Sequence, residues 1–92
     1  MSNVRAHLIV SGKVQGVYFR VETCDQAAAL GLTGWVQNMP DRNVEVVVEG
    51  SRDGVENLIN WCRLGPPGAE VSGVSVTWEN YTGEFDKFNI AF

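Results

Sequence analysis

The apolar residues of this chain recur at every second position in some segments and at helical spacing in others. The order of these segments constrains the fold more than any other feature of the sequence. Alternating or β-branched runs predict strands over 5–11, 33–38, 44–49, 71–80 and 87–92, and helical spacing predicts helices over 21–30 and 52–64. A turn over 39–43, with Pro40, Asp41 and Asn43 as turn-formers, separates the second and third strands.

This order, β-α-β-β-α-β followed by a short strand, predicts an α+β fold. Its two-layer solution is a ferredoxin-like sandwich, an antiparallel sheet with both helices on one face. In that arrangement the third strand lies between the first two, which run parallel to each other. We therefore expect segment 14–20, after the first strand, and Asn38, at the end of the second, to meet at one edge of the sheet.

Charge and hydropathy exclude several classes of protein. The formal net charge is −4 and the seven Lys and Arg are scattered, whereas a nucleic-acid-binding domain normally carries a basic stripe. No aromatic RNA-binding signature is present, and no apolar stretch approaches the ~20 residues that span a bilayer. The first residues lack the pattern of a signal peptide. We expect one domain over 1–92, monomeric and cytoplasmic, with no nucleic-acid or membrane partner.

The stretch GKVQGVYFR, residues 12–20, joins the first strand to the first helix. Free backbone N–H groups at the start of a helix form an anion site. Gly12 and Gly16 allow a positive φ or close approach of an anion, and Arg20 adds a permanent charge with a fork that matches two phosphate or carboxylate oxygens. Taken alone, this pattern is more often an ordinary turn with a solvated arginine.

Two segments together change that interpretation. V-Q-G-V-x-F-R at 14–20 and L-G-L-x-G-W-V-x-N at 30–38 resemble the acylphosphatase family. Weaker matches occur at Val44-Glu45, around Gly65-Pro66 and at Phe88-x-Ile90, so the resemblance runs from about Val4 to Phe92. The fold of that family is the ferredoxin-like sandwich that the order of elements predicts.

The resemblance implies hydrolysis of the carboxyl-phosphate anhydride of acyl phosphates, without metal, cofactor or covalent intermediate. Arg20 would hold the phosphoryl group, and Asn38 would orient the attacking water. The backbone N–H groups expected to surround the phosphate oxygens belong to Gln15, Gly16, Val17, Tyr18, Phe19 and Arg20. The partner would be a small acyl phosphate, with inorganic phosphate as product and inhibitor. The alternative is a non-catalytic anion-binding or interaction module of the same fold.

The chain departs from the family pattern just after Asn38. Met39 stands where many members have Thr or Ser, and Asp41-Arg42-Asn43 stands where many have Asp-Gly. We therefore expect an altered hairpin turn and the loss of any support that a hydroxyl gives to Asn38 or its water.

The remaining reactive side chains are the two cysteines and one histidine. Neither Cys24 nor Cys62 has a second ligand at metal-binding spacing. Both fall on the expected inner faces of the helices, so a disulfide between them and a pair of buried thiols both fit the sequence. His7 lies inside the first strand and is expected to face solvent or a neighbouring strand rather than to catalyse.

Overall fold

The computed structural model describes residues 2–91. Its elements follow the predicted order: β1 (Asn3–Lys13), α1 (Phe19–Ala29), β2 (Thr33–Asn38), β3 (Val44–Ser51), α2 (Arg52–Leu64), β4 (Glu70–Glu79) and β5 (Phe88–Ile90). The predicted bounds of β2 and α2 are confirmed, whereas β1 and β3 extend further than predicted. Phe92, the last residue of the predicted final strand, lies outside the described residues.

The five strands form one sheet in the order β4-β1-β3-β2-β5. β3 lies between β1 and β2 and pairs antiparallel with both, so β1 and β2 run parallel and their carboxyl ends meet at one edge. β5 pairs parallel with β2, the one exception to antiparallel pairing among the described strands. The predicted ferredoxin-like sandwich is thereby confirmed.

Both helices cover the same face of the sheet. α1 packs on β2 and β5, and α2 packs on β1, β3 and β4. The core between these layers includes Ala6, Leu8 and Val10 of β1, Val44, Val46 and Val48 of β3, and Val55, Leu58, Ile59 and Cys62 of α2. The apolar residues of α2 whose helical spacing predicted it are the ones on its buried face. Neither helix is long and apolar enough to cross a bilayer.

α1 begins two residues earlier than predicted, and the face that it buries also differs from the prediction. Phe19, Thr23 and Ala27, spaced four residues apart, are buried. The helical spacing that predicts a helix over 21–30 counts Val21 and Ala28 among its inward-facing apolar residues, and this is wrong because both are exposed. Val21 lies on the outer face of the first turn, and Arg20 is the second residue of the helix.

The two cysteines are free in the structure. Cys24 is directed away from α2, since its Sγ donates a hydrogen bond to the carbonyl oxygen of Phe88 in β5, at 3.4 Å. Cys62 is fully buried on the inner face of α2. Each helix packs on a different half of the sheet, and the structure corresponds to the alternative of two unpaired thiols.

The face of the sheet opposite the helices carries a polar network. His7 Nε2 lies 2.6 Å from Glu45 Oε2 on the neighbouring strand, as predicted for a strand histidine. Glu49 is fully buried beneath the loop that follows β4. Its carboxylate accepts hydrogen bonds from Arg5, from the N–H and hydroxyl of Thr82, and from the N–H of Gly83. These bonds hold the loop against the sheet.

Candidate active site

A pocket of about 300 Å³ opens where β1 and β2 end. Its lining residues come from the loop after β1, the first turn of α1 and the end of β2, and they are Val14, Gly16, Tyr18, Phe19, Arg20, Val21 and Asn38. The fold therefore brings Arg20 and Asn38 to one pocket. A larger concavity, of about 390 Å³, lies between α2 and β4, away from both sequence motifs.

The loop from Val14 to Tyr18 presents its N–H groups without internal partners. Across residues 2–91, the backbone N–H groups of Gln15 to Arg20 donate no hydrogen bond. Gly16 has φ 74°, and a Cβ built on it would meet no atom within 4 Å. Tyr18, the N-cap of α1, is also left-handed at φ 63° and supplies no side-chain cap. The positive end of α1 is thus left open for an anion.

Gly12, the other glycine assigned to the anion site, has a different role. It lies within β1 at a bulge in the β1–β4 pairing, with φ 117°. A Cβ there would come within 2.2 Å of the carbonyl oxygen of Glu70. Gly12 is therefore needed for the close approach of two strands: its φ is positive, as predicted, but it is not among the residues that line the pocket.

Phe19 fixes the start of α1 in the core. Its side chain is buried, and its ring lies against that of Trp61 in α2, with centroids 5.5 Å apart and planes at 58°. Its carbonyl oxygen accepts a hydrogen bond from Thr23 Oγ1 at 2.7 Å. Because Phe19 is anchored in this way, the backbone from which the Arg20 side chain extends is held in place.

Arg20 is the one charged residue among those that line the pocket. Within the described chain its guanidinium makes no ion pair or side-chain hydrogen bond, whereas Arg5 contacts three glutamates and Arg52 contacts Glu56. Arg20 is half-buried, so a bound anion would meet a cation that is partly shielded from solvent. The pocket is a local positive site on an acidic protein.

Asn38 ends β2, where its backbone pairs with Val44. Its side-chain amide makes no hydrogen bond to any residue from 2 to 91. The amide is half-buried and lines the pocket, so its oxygen and nitrogen are both available to a ligand or to water.

The predicted turn follows Asn38 directly. The N–H of Met39 donates to the carbonyl oxygen of Asn43 at 2.8 Å, and Asp41 Oδ1 accepts from the N–H of Asn43 at 3.1 Å. Arg42 has φ 77°, the left-handed region that glycine adopts without strain. The altered hairpin expected from Asp41-Arg42-Asn43 therefore places a non-glycine residue in a left-handed position.

One contact at the site was missed by sequence reasoning. The side chain of Gln15 reaches the turn, and its Nε2 donates to the carbonyl oxygens of Met39 and Asn43, each at 2.9 Å. The prediction had assigned only the backbone N–H of Gln15 a role. No residue type in the turn indicates this contact, because both acceptors are backbone carbonyls.

Across residues 2–91, no group of three or more His, Cys, Asp and Glu side chains could hold a metal ion.

Known proteins resemble this chain over its whole length. The family model for acylphosphatase matches residues 6–90. The acylphosphatase of Pelotomaculum thermopropionicum is 64% identical over 92 residues, 100% of both chains. That of Pyrobaculum islandicum is 54% identical over 91 residues, 98% of this chain and 96% of the relative. The crystal structure of acylphosphatase from Bacillus subtilis has a TM-score of 0.93 and 31% identity, covering 97% of this chain and 99% of that one. The chain therefore belongs to the acylphosphatase family.

Proposed function

We propose that this acylphosphatase hydrolyses small acyl phosphates to a carboxylate and inorganic phosphate at the pocket between α1 and β2. One observation carries the proposal: Arg20 and Asn38, neither with a side-chain partner in the described chain, line the same pocket beside free N–H groups. A site built in this way binds an anion and leaves one neutral amide free to position a second molecule.

The phosphoryl group binds to the N–H groups of Gln15 to Arg20 and to the guanidinium of Arg20. The guanidinium is permanently charged and matches two phosphoryl oxygens at once. Phosphoryl transfer depends on positioning and charge stabilisation rather than on covalent work by the protein. Donors that are already in place stabilise the charge on the equatorial oxygens in the transition state without reorganisation.

The side chain of Asn38 orients the attacking water. A carboxamide does not titrate at working pH, so Asn38 is no general base. Its oxygen accepts a hydrogen bond from the water and directs an oxygen lone pair at phosphorus. The water forms the new P–O bond while the bond to the acyl oxygen breaks, and the leaving carboxylate keeps the electron pair.

The proton of the water passes to a phosphoryl oxygen of the substrate. The products are then a carboxylate and a protonated inorganic phosphate, so charge and atoms balance without a protein acid or base. The carboxylate is a stable leaving group and needs no proton from the enzyme. This proposed route requires no metal, and product phosphate competes for the same N–H groups and Arg20.

We also propose that residues 1–92 act as a single, monomeric domain in the cytoplasm. In support of a single domain, all the described strands belong to one sheet, and the buried apolar side chains other than Val47 form one cluster. The alternative of a non-catalytic binding module is not favoured, since relatives that match over their full length are acylphosphatases.

The test is phosphate release from benzoyl phosphate with EDTA present, for the unaltered protein and Arg20→Gln. The unaltered protein should turn over, and Arg20→Gln should lose ~3 kcal/mol of transition-state stabilisation, at least about a hundredfold in rate. Arg63→Gln, an exposed arginine of α2 outside this pocket, is the matched control and should keep its activity. A folded Arg20→Gln protein with full activity would contradict the proposal.

A further inference from the structure

The Gln15 side chain connects the two halves of the site. Its Nε2 donates one hydrogen bond to the carbonyl oxygen of Met39 and one to that of Asn43, both at 2.9 Å. Among residues 2–91, these are the only hydrogen bonds between the loop 14–18 and the segment 33–43. β1 and β2 are not neighbours in the sheet, because β3 lies between them. The amide of Gln15 is therefore the direct polar link between the N–H groups of the loop and the strand that carries Asn38.

The two acceptors close the turn that follows Asn38. The N–H of Met39 donates to the oxygen of Asn43 at 2.8 Å, and the N–H of Arg42 donates to the oxygen of Met39 at 3.1 Å. Gln15 thus binds both residues at the base of the turn, and Met39 is covalently bonded to Asn38. Since the Asn38 amide has no side-chain partner of its own in the described chain, its position depends on this backbone.

We propose that Gln15 is a positioning residue for the hydrolysis, holding Asn38 at the correct distance from the bound phosphoryl group. This inference rests on the proposed function, in which Asn38 orients the water. A displacement of about 1 Å in a reacting group can lower a rate a hundredfold. The two N–H donors of the Gln15 side chain are both occupied by the turn, so its amide nitrogen has no donor left for a phosphoryl oxygen.

Loss of these bonds should affect the fold only slightly. Each carbonyl keeps a second donor, the N–H of Arg42 for Met39 and the N–H of Met39 for Asn43. Removing the Gln15 amide therefore leaves neither acceptor without a partner, and we expect Tm to fall by about 4–8 °C. The effect of removing the Gln15 amide on kcat can therefore be distinguished from its effect on Tm.

The test compares Gln15→Met, of similar length but without donors, with Gln37→Met as a matched control. Gln37 lies on β2, next to Asn38, and its Nε2 donates to Glu45 Oε1 at 2.7 Å without a hydrogen bond to the loop. With benzoyl phosphate, Gln15→Met should lower kcat by about tenfold or more while the inhibition constant for inorganic phosphate stays within about twofold. Gln37→Met should change neither. If Gln15→Met does not fold, Gln15→Asn replaces it in the test, because its side chain keeps an amide but is too short to reach both carbonyls.

Combination with Asn38→Ala decides whether Gln15 acts through Asn38. We expect Gln15→Met to lower kcat little further once Asn38 is alanine, since the group it positions is gone. An equal factor in both backgrounds, or a weakening of phosphate inhibition that matches the loss in kcat, would overturn the proposal for Gln15 alone. If Asn38→Ala itself keeps full kcat, the role of Asn38 in the proposed function fails, and that of Gln15 fails with it.

Discussion

The ring of Phe19 packs against that of Trp61 with centroids 5.5 Å apart, so the residue before Arg20 is anchored to the second helix. We expect Phe19→Leu to lower the free energy of unfolding by about 1–2 kcal/mol, since it removes buried area and leaves a gap. Because the start of α1 then loosens, phosphate inhibition should weaken severalfold. Urea unfolding and inhibition assays measure the two effects.

Ile59→Val is the control for Phe19→Leu. Ile59 is buried on α2 away from the pocket, and its truncation should lower stability by about 0.5–1.5 kcal/mol. Phosphate inhibition should not change. If both variants weaken phosphate inhibition equally, general destabilisation rather than the position of Arg20 explains the effect.

Arg42 is strained in its left-handed conformation, with φ 77°. A left-handed conformation costs an L-residue about 1–2 kcal/mol, and glycine avoids most of this cost. Part of that gain is offset because glycine has more conformational entropy in the unfolded chain. Arg42→Gly should therefore raise the free energy of unfolding by about 0.5–1 kcal/mol. Arg42→Ala, which removes the side chain but keeps the strain, should give no such gain in urea titrations. If the free energy of unfolding changes equally in both variants, loss of the Arg42 side chain rather than relief of strain explains the change.

Glu49 should make the stability of the protein depend on acid pH. Burial alone would raise its pKa, but hydrogen bonds from Thr82, Arg5 and Gly83 outweigh burial and hold the pKa of this carboxyl below its ordinary value. The pKa of Glu49 is thus lower in the folded protein than in the unfolded chain, where a glutamate has a pKa of about 4.3. The contribution of Glu49 to the free energy of unfolding is therefore fully present above about pH 4.3 and is lost as the pH falls through the pKa of the folded state.

Glu49→Gln removes the charge and turns an acceptor into a donor that faces other donors. We expect a loss of about 2–4 kcal/mol near pH 7 and a smaller loss near pH 3, because the unaltered protein loses its own stabilisation there. Unfolding in urea across this pH range measures it. Glu56→Gln, at an exposed i,i+4 pair with Arg52, is the control and should change stability by less than about 1 kcal/mol. A Glu49→Gln loss that is independent of pH would contradict the assignment.

Neither cysteine should react readily in the folded protein. Burial raises the pKa of the Cys62 thiol to about 12, and burial together with the charge of Asp25 raises the pKa of Cys24. Since the thiolate is the nucleophile, alkylation at pH 8 should be slow for both until urea unfolds the chain. Without reductant, mass spectrometry of the unfolded protein should find two alkylated thiols. A chain with no reactive thiol would show that the disulfide forms after all.

The parts of the fold that could be predicted are those with strong local signals. Thr33–Asn38 is followed by Met-Pro, and α2 begins after Ser51, whose Oγ accepts from the N–H of Gly54, and ends at Gly65. Such caps and breakers are visible in the sequence. The carboxyl ends of β1 and β2 meet because β3 lies between them, so the order of elements alone predicted where Arg20 and Asn38 would lie.

The start of α1 could not be predicted in the same way. Its N-cap is Tyr18, left-handed and without a side-chain cap, a residue type that signals no helix start. Because Tyr18 supplies no side-chain cap, the N–H groups at the start of α1 are free. The helix end that was predicted incorrectly is therefore part of the candidate active site. The contact of Gln15 was equally hidden, since its acceptors are backbone carbonyls 24 and 28 residues further along the chain.

The division of labour between Arg20 and Asn38 is tested most directly by the inhibition constant of inorganic phosphate in Asn38→Ala and Arg20→Gln, measured beside kcat on benzoyl phosphate. Asn38→Ala should lose turnover by about a hundredfold or more and still bind phosphate as the unaltered protein does, because in the proposed mechanism it removes only the group that orients water. Arg20→Gln should lose both. Loss of phosphate binding in Asn38→Ala, or its retention in Arg20→Gln, would contradict these roles.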